Sequence, residues 1–198
     1  MISGSRFLLG VSTMFFAMLT MAADTPAAGW NVEQLMQSMA AVKSAKGKFV
    51  ERKQMAILNA PLETTGTLAY TAPGRLEKHT LQPKPESLIL DQDRLLIESR
   101  DKKFRRTLNL QEYPLVWALV EGIRSTLAGD LRTLSRFYRL SLEGSESGWR
   151  LVLTPVEPKV RELLSEIRIS GSANRITTVD VYEAGGDRST MTVVGDAS

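Results

Sequence analysis

His79 is the only imidazole in the chain, and it sits in a Lys-His-Thr stretch that alternates like a strand. General acid–base work needs a second group within hydrogen-bond reach, and the sequence reveals no such pairing. A solvated strand histidine accounts for it. The chain contains no cysteine, which excludes a thiol nucleophile and a Cys-type zinc site, and a single histidine excludes the His-pair metal motifs. Gly144-Ser145-Glu146-Ser147-Gly148 has the outline of a nucleophile elbow, but its central residue is Glu146 rather than serine, so it is a polar hairpin turn. Neither form of glycine-rich phosphate loop is present. The expectation is a protein without catalytic residues, cofactor or metal.

One charged cluster remains: Arg100, Lys102, Lys103, Arg105 and Arg106, around a hairpin tip. Two readings are open. Such a run can be a solvated edge that discourages strand-to-strand aggregation, or a docking patch for anionic headgroups or an acidic partner.

At 198 residues with 43% hydrophobic and 24% charged content, the chain can build one full-sized core, and nothing in it marks a second domain. Arg6 precedes an uncharged apolar run from Phe7 to Met21, followed by Ala22, Ala23 and Asp24. That is the pattern of a secretory signal peptide spanning 1–23, cleaved after Ala22 or Ala23. The run is short for a membrane span, and without cysteine it cannot carry a lipid anchor. The formal charge of +3 falls to +2 once Arg6 leaves with the leader, too mild a balance to imply nucleic acid. A monomeric, exported periplasmic domain over 24–198, held by its core rather than by disulfides, is expected.

The densest apolar stretch is Tyr113 to Phe137. Pro114 suits a first helical turn, and Leu115, Leu119, Ile123 and Leu127 recur at helical spacing. Val116, Trp117 and Val120 widen the stripe beyond that of a surface helix. Gly129 ends this helix, and Asp130 caps a second that carries Leu131, Leu134 and Phe137. An earlier amphipathic helix, capped by Asn31 with Gln34, runs from Val32 to about Ala45. Most of the rest alternates as strand: Lys48–Met55, Leu62–Thr71, Arg75–Leu81, Ser87–Leu90, Leu95–Ile97 and Phe104–Leu110 before the helices. After them come Arg139–Glu143, Trp149–Thr154, a helical turn leading into a strand within Val160–Ser170, Arg175–Tyr182 and Arg188–Val194. This spacing predicts an α+β, mostly β chain with an antiparallel meander of about ten strands. A single sheet that large curls, giving it a concave face.

The order of these elements resembles the periplasmic outer-membrane lipoprotein carriers, the LolA-like family. The residues that carry the likeness are Gly47-Lys48-Phe49-Val50-Glu51 after the first helix and Gly66-Thr67-Leu68-Ala69-Tyr70 leading to Pro73 and Leu76. Pro83 with the Asp91–Leu95 turn, the helical insert, Trp149 to Pro155, and Ile176 to Asp180 with the Gly186-Asp187 turn complete it. The resemblance implies an unclosed β-barrel whose apolar concave face is lidded by helices. It implies a cargo of acylated lipoprotein, or a related lipid such as a polyene or glycolipid, passed from an inner-membrane donor complex to an outer-membrane acceptor. Family members carry an arginine before the Pro that ends the second strand, where it tethers the lid. Here that position is Ala72, and Arg75 is the nearest basic side chain.

On this reading the cavity and lid are lined by Phe49, Leu68, Tyr70, Leu76, Ile97, Phe104, Trp117, Leu119, Leu134, Phe137, Trp149 and Leu151. Arg100, Lys102, Lys103, Arg105 and Arg106 form the partner-docking surface. A rival reading keeps the scaffold and makes the protein an envelope sensor that reports a bound lipid or misfolded protein to a membrane partner.

Overall fold

The structure is a computed structural model and describes residues 30–99, 101 and 103–196. The expected signal peptide over 1–23, and Arg100 and Lys102 of the basic cluster, lie outside the described residues. Helix α1 (Val32–Ala40) is followed by strands β1 (Ser44–Gln54), β2 (Leu62–Thr71), β3 (Arg75–Gln82), β4 (Glu86–Asp91), β5 (Arg94–Ser99) and β6 (Phe104–Asn109). A 3-10 turn (Leu110–Glu112) leads into α2 (Pro114–Ala128) and α3 (Leu131–Phe137). Strands β7 (Tyr138–Ser145) and β8 (Gly148–Pro155), a short α4 (Pro158–Arg161), and β9 (Leu164–Ser172), β10 (Arg175–Glu183) and β11 (Arg188–Asp196) complete the chain.

The strands form one sheet of eleven, in the order β6-β5-β4-β3-β2-β1-β11-β10-β9-β8-β7. Every described pairing is antiparallel. The first and last strands pair at its middle, and the sheet ends on β6 and β7, the two strands that α2 and α3 connect. The helical insert therefore joins the two edges that the sheet leaves unpaired.

The helix ends follow local chemistry. Asn31 and Gln34 exchange side-chain and backbone bonds of 2.9 and 3.0 Å, a capping box that opens α1. Gly129 at φ 66° closes α2, and a Cβ there would lie 2.1 Å from the Met36 carbonyl oxygen. That close contact brings the end of α2 onto α1. Helix α1 ends at Ala40, earlier than its apolar period suggests, because Ser44 to Gly47 pair with Thr71 to Leu68 instead. Ladder bonds take Ser44 and Ala45, which the helical pattern would have kept.

Phe49, opposite Gly66, shows how tightly the sheet is built. A Cβ at Gly66 would sit 1.9 Å from the His79 carbonyl oxygen and 2.8 Å from the Phe49 ring, and neither backbone nor a fully buried ring can yield. Gly66→Ala should destabilise the fold by on the order of 3 kcal/mol or more, whereas Gly185→Ala, with no atom within 4 Å, should change it little. Urea denaturation of the two variants checks the contrast.

Candidate functional site

Directly paired residues of an antiparallel ladder present their side chains on the same face. Phe49 pairs with Gly66, Tyr70 with Leu76, Leu76 with Leu90, and Leu90 with Leu95. Leu68 falls in phase with Tyr70, and Ile97 with Leu95. On the other half, Leu151 pairs with Ile169, Ile169 with Val179, Val179 with Met191, and Met191 with Glu51, in phase with Phe49. All eight strand residues expected to line the cavity thus share one face. They are not equally covered: Phe49, Tyr70, Trp149 and Leu151 are buried, Leu68, Leu76 and Ile97 are half-buried, and Phe104 is 43% exposed near the β5–β6 turn.

Helix α2 meets this face in two places. Leu90, Leu95 and Leu110, with Leu76, Leu88, Ile97 and Leu108 around them, take Val116, Trp117 and Val120. The β7–β10 half of the face, joined by α1 and α3, takes Ala118, Leu115, Leu119, Ile123 and Leu127. Trp117 bridges the two, with its ring edge-on to Phe137 at 5.3 Å. Leu134 is fully buried and Phe137 partly so. The most buried positions of α2 are not its large apolar side chains. They are Ala118, Glu121, Gly122, Ser125 and Thr126, small or polar groups. A Cβ on Gly122 would come 3.1 Å from Ile167 and 3.2 Å from Tyr138, and the Tyr138 hydroxyl donates to the Ala118 carbonyl at 2.6 Å. Burial pushes the Tyr138 hydroxyl pKa up, and the nearby Glu121 charge adds to the rise.

Glu121 is a buried carboxylate on this helix, 2% exposed. It accepts from Trp117 Nε1 at 3.2 Å, from Ser125 Oγ at 3.2 Å and from the Arg124 guanidinium. The stem of Arg124 in turn lies over the β2–β3 turn, where a Cβ on Gly74 would stand 2.9 Å from its Cδ. So an arginine does join the helices to the Pro73 turn, but it comes from the helix side. Arg75 does not take that place: it pairs with Glu77 at 2.9 Å and Asp91 at 3.2 Å.

The inner face also holds a polar cluster that sequence reading missed. Glu51 of β1 is bound by Lys78 of β3, by Ser189 Oγ of β11 at 2.7 Å and by Thr64 Oγ1 of β2 at 3.3 Å. The Lys78 ammonium lies 4.9 Å over the Phe49 ring. Glu51 is two residues beyond Phe49, so strand alternation places it on the same face. His79 is half-buried, with Ser87 at 3.0 Å and Glu77 at 3.1 Å. Of the basic hairpin, Lys103, Arg105 and Arg106 are exposed, Arg105 pairs with Glu98 at 3.1 Å, and Arg106 donates to the Tyr113 hydroxyl at 3.2 Å.

Burial acts to raise the Glu51 pKa, but the Lys78 charge and the hydrogen bonds from Lys78, Ser189 and Thr64 outweigh it and hold the carboxyl below its ordinary value. A depressed carboxyl stabilises the fold above its unfolded pKa of about 4.3, and that contribution is lost as pH falls through the folded value. Glu51→Gln should therefore lower stability at pH 7 by on the order of 1–2 kcal/mol. The gap from the unchanged protein should narrow as pH drops below about 4.3, as urea titrations at pH 7 and pH 3 would show.

Comparison with known structures finds chains of similar outline. They include a LolA superfamily protein from Nitrosomonas europaea, at 9% identity and TM-score 0.43, covering 84% of this chain and 93% of that one. Another is the Mycobacterium tuberculosis lipoprotein LppX, at 11% identity and TM-score 0.43, covering 83% and 92%. A third is MucB, solved in complex with a periplasmic MucA segment, at 14% identity and TM-score 0.41, covering 84% and 56%. No curated protein matches the sequence. The family model described as "Outer membrane lipoprotein carrier protein LolA-like" matches residues 23–198. With the open sheet and its helical insert, that match over nearly the whole chain makes it a member of the LolA-like family.

Proposed function

We propose that this protein is a periplasmic carrier that shields acyl chains, of a lipoprotein or a related lipid, between the inner face of its sheet and helices α2 and α3, without catalysis. Residues 24–198 act as one domain in this role, exported by the leader before it. The single observation that carries the reading is how α2 is seated. Its large apolar side chains are only partly covered and divide between two separate packing clusters, while its closest contacts run through small and polar groups. A helix held this way can lift from the sheet and leave two apolar surfaces for a chain to occupy. Family membership supports the same class of cargo.

Energetics limit how the cargo is held. Full burial of a 15-carbon chain is worth about 12 kcal/mol at ~0.8 kcal/mol per CH₂. Three such chains would exceed the practical ceiling of about 20 kcal/mol for non-covalent binding. A carrier must also release. Partial burial, with helix displacement offsetting part of the gain, meets both demands.

Native mass spectrometry of protein isolated from the periplasm without detergent, followed by extraction of the bound material, tests the proposal. An acylated protein or a lipid adduct supports it; an empty protein that also fails to take up added lipid rejects it. Ile97 is half-buried at the margin of the Leu90–Leu95–Leu110 cluster, so a charge there costs some stability while the fully buried residues keep their packing. Ile97→Asp should leave the circular dichroism spectrum unchanged and weaken uptake of a fluorescent fatty-acyl probe about tenfold or more, since a charge in an apolar site is poorly tolerated.

A further inference from the structure

The connection between β1 and β2 is chemically unlike a loop. From Ala56 to Leu62 it reads Ala-Ile-Leu-Asn-Ala-Pro-Leu, every residue is exposed, and Asn59 is its one polar side chain. Ile57 is 87% exposed, Leu58 42% and Leu62 43%. Loops at a water surface are ordinarily polar, and an uncovered run of large apolar residues marks a contact surface. The loop is held in shape: the Ala56 N–H donates to the Asp187 carboxylate at 2.9 Å and the Leu58 N–H to the Met55 carbonyl at 2.9 Å. Arg52 and Lys53 precede it, already paired with Glu63 at 2.8 Å and Glu183 at 3.1 Å.

In an antiparallel meander alternate turns fall at the same end of the sheet. The β1–β2 and β5–β6 turns therefore share one end, opposite the Pro73 turn that receives Arg124. Beside the β5–β6 turn, Phe104 is 43% exposed between exposed Lys103 and Arg105. Strands β2 and β5 lie three places apart in the sheet, roughly 14 Å at ~4.8 Å per strand. Two apolar tips thus stand at one end of the sheet on separate hairpins, with the β3–β4 turn between them and exposed Lys103, Arg105 and Arg106 beside the second. A protein groove would call for one continuous apolar patch. Separate apolar tips with neighbouring cations suit a lipid headgroup layer, where apolar side chains enter the acyl boundary and cations meet phosphates.

We infer that the end of the sheet bearing Ile57, Leu58 and Phe104 is a docking surface for an anionic phospholipid bilayer. Docked this way, the molecule places the β1–β2 and β5–β6 hairpins in the headgroup region and keeps the α1 end in water. Ile57 and Leu58 lie on the β1–β2 loop, outside the expected cavity lining, and Phe104 sits where the inner face reaches this end of the sheet.

Flotation with vesicles tests it. The purified protein should float with phosphatidylethanolamine vesicles containing phosphatidylglycerol, much less with phosphatidylcholine vesicles, and less as salt rises. Ile57→Ser with Leu58→Ser should reduce the bound fraction at least tenfold at an unchanged melting temperature. Lys103→Glu with Arg105→Glu should remove the preference for phosphatidylglycerol. An unaltered protein that stays unbound on every vesicle, or an I57S/L58S variant that floats like the parent, overturns the inference.

Discussion

An apolar sheet face with no second sheet to cover it is the constraint from which the rest of the architecture follows. Eleven antiparallel strands curl but leave β6 and β7 unpaired, so the face can be buried only by what the chain places across it. The insert between those two edges supplies the cover. Because α2 and α3 link β6 directly to β7, their position is set by the sheet's own ends. The face they meet is divided between two apolar clusters, so the helix that spans them is apolar around most of its surface.

How α2 is seated decides whether the fold behaves as a solid core or as a container. A core helix would drive its largest side chains into the sheet. Here the deepest positions are Ala118, Gly122, Ser125 and Thr126 with the carboxylate of Glu121 among them. Small residues allow close approach without interlocking, and the Glu121–Arg124 pair carries the polar part of the seat out to the β2–β3 turn. A buried carboxylate is strongly disfavoured unless matched; Arg124 matches Glu121 from within the same helix, and its stem packs over Gly74 of the Pro73 turn.

Much of this was legible in the sequence. The family resemblance, not the alternation alone, named Phe49, Leu68, Tyr70, Leu76, Ile97, Trp149 and Leu151, and the ladder pairings show that they share one face; the breadth of the stripe from Leu115 to Leu127 marked a helix needing cover on several sides. The less visible parts depend on contacts distant in sequence. Glu51 is inward by its phase with Phe49, but its partners Lys78 and Ser189 come from β3 and β11. The arginine at the Pro73 turn was sought next to Pro73 and found some fifty residues later, on α2. The end of α1 depended on pairing between Ser44–Gly47 and β2, which helical periodicity cannot register.

The central claim is that α2 must leave the sheet for cargo to enter, and a reversible tether tests it most directly. The chain has no cysteine of its own. A Cβ at position 74 would lie 3.1 Å from the Cγ of Arg124, close to the roughly 3 Å between a Cβ and the far sulfur of a disulfide. Gly74→Cys with Arg124→Cys, combined with Glu121→Gln so that no carboxylate is stranded, should form a bridge that pins the helix. The account predicts that the oxidised protein takes up no acyl probe and that reduction restores uptake. Equal uptake in the oxidised and reduced states would contradict it.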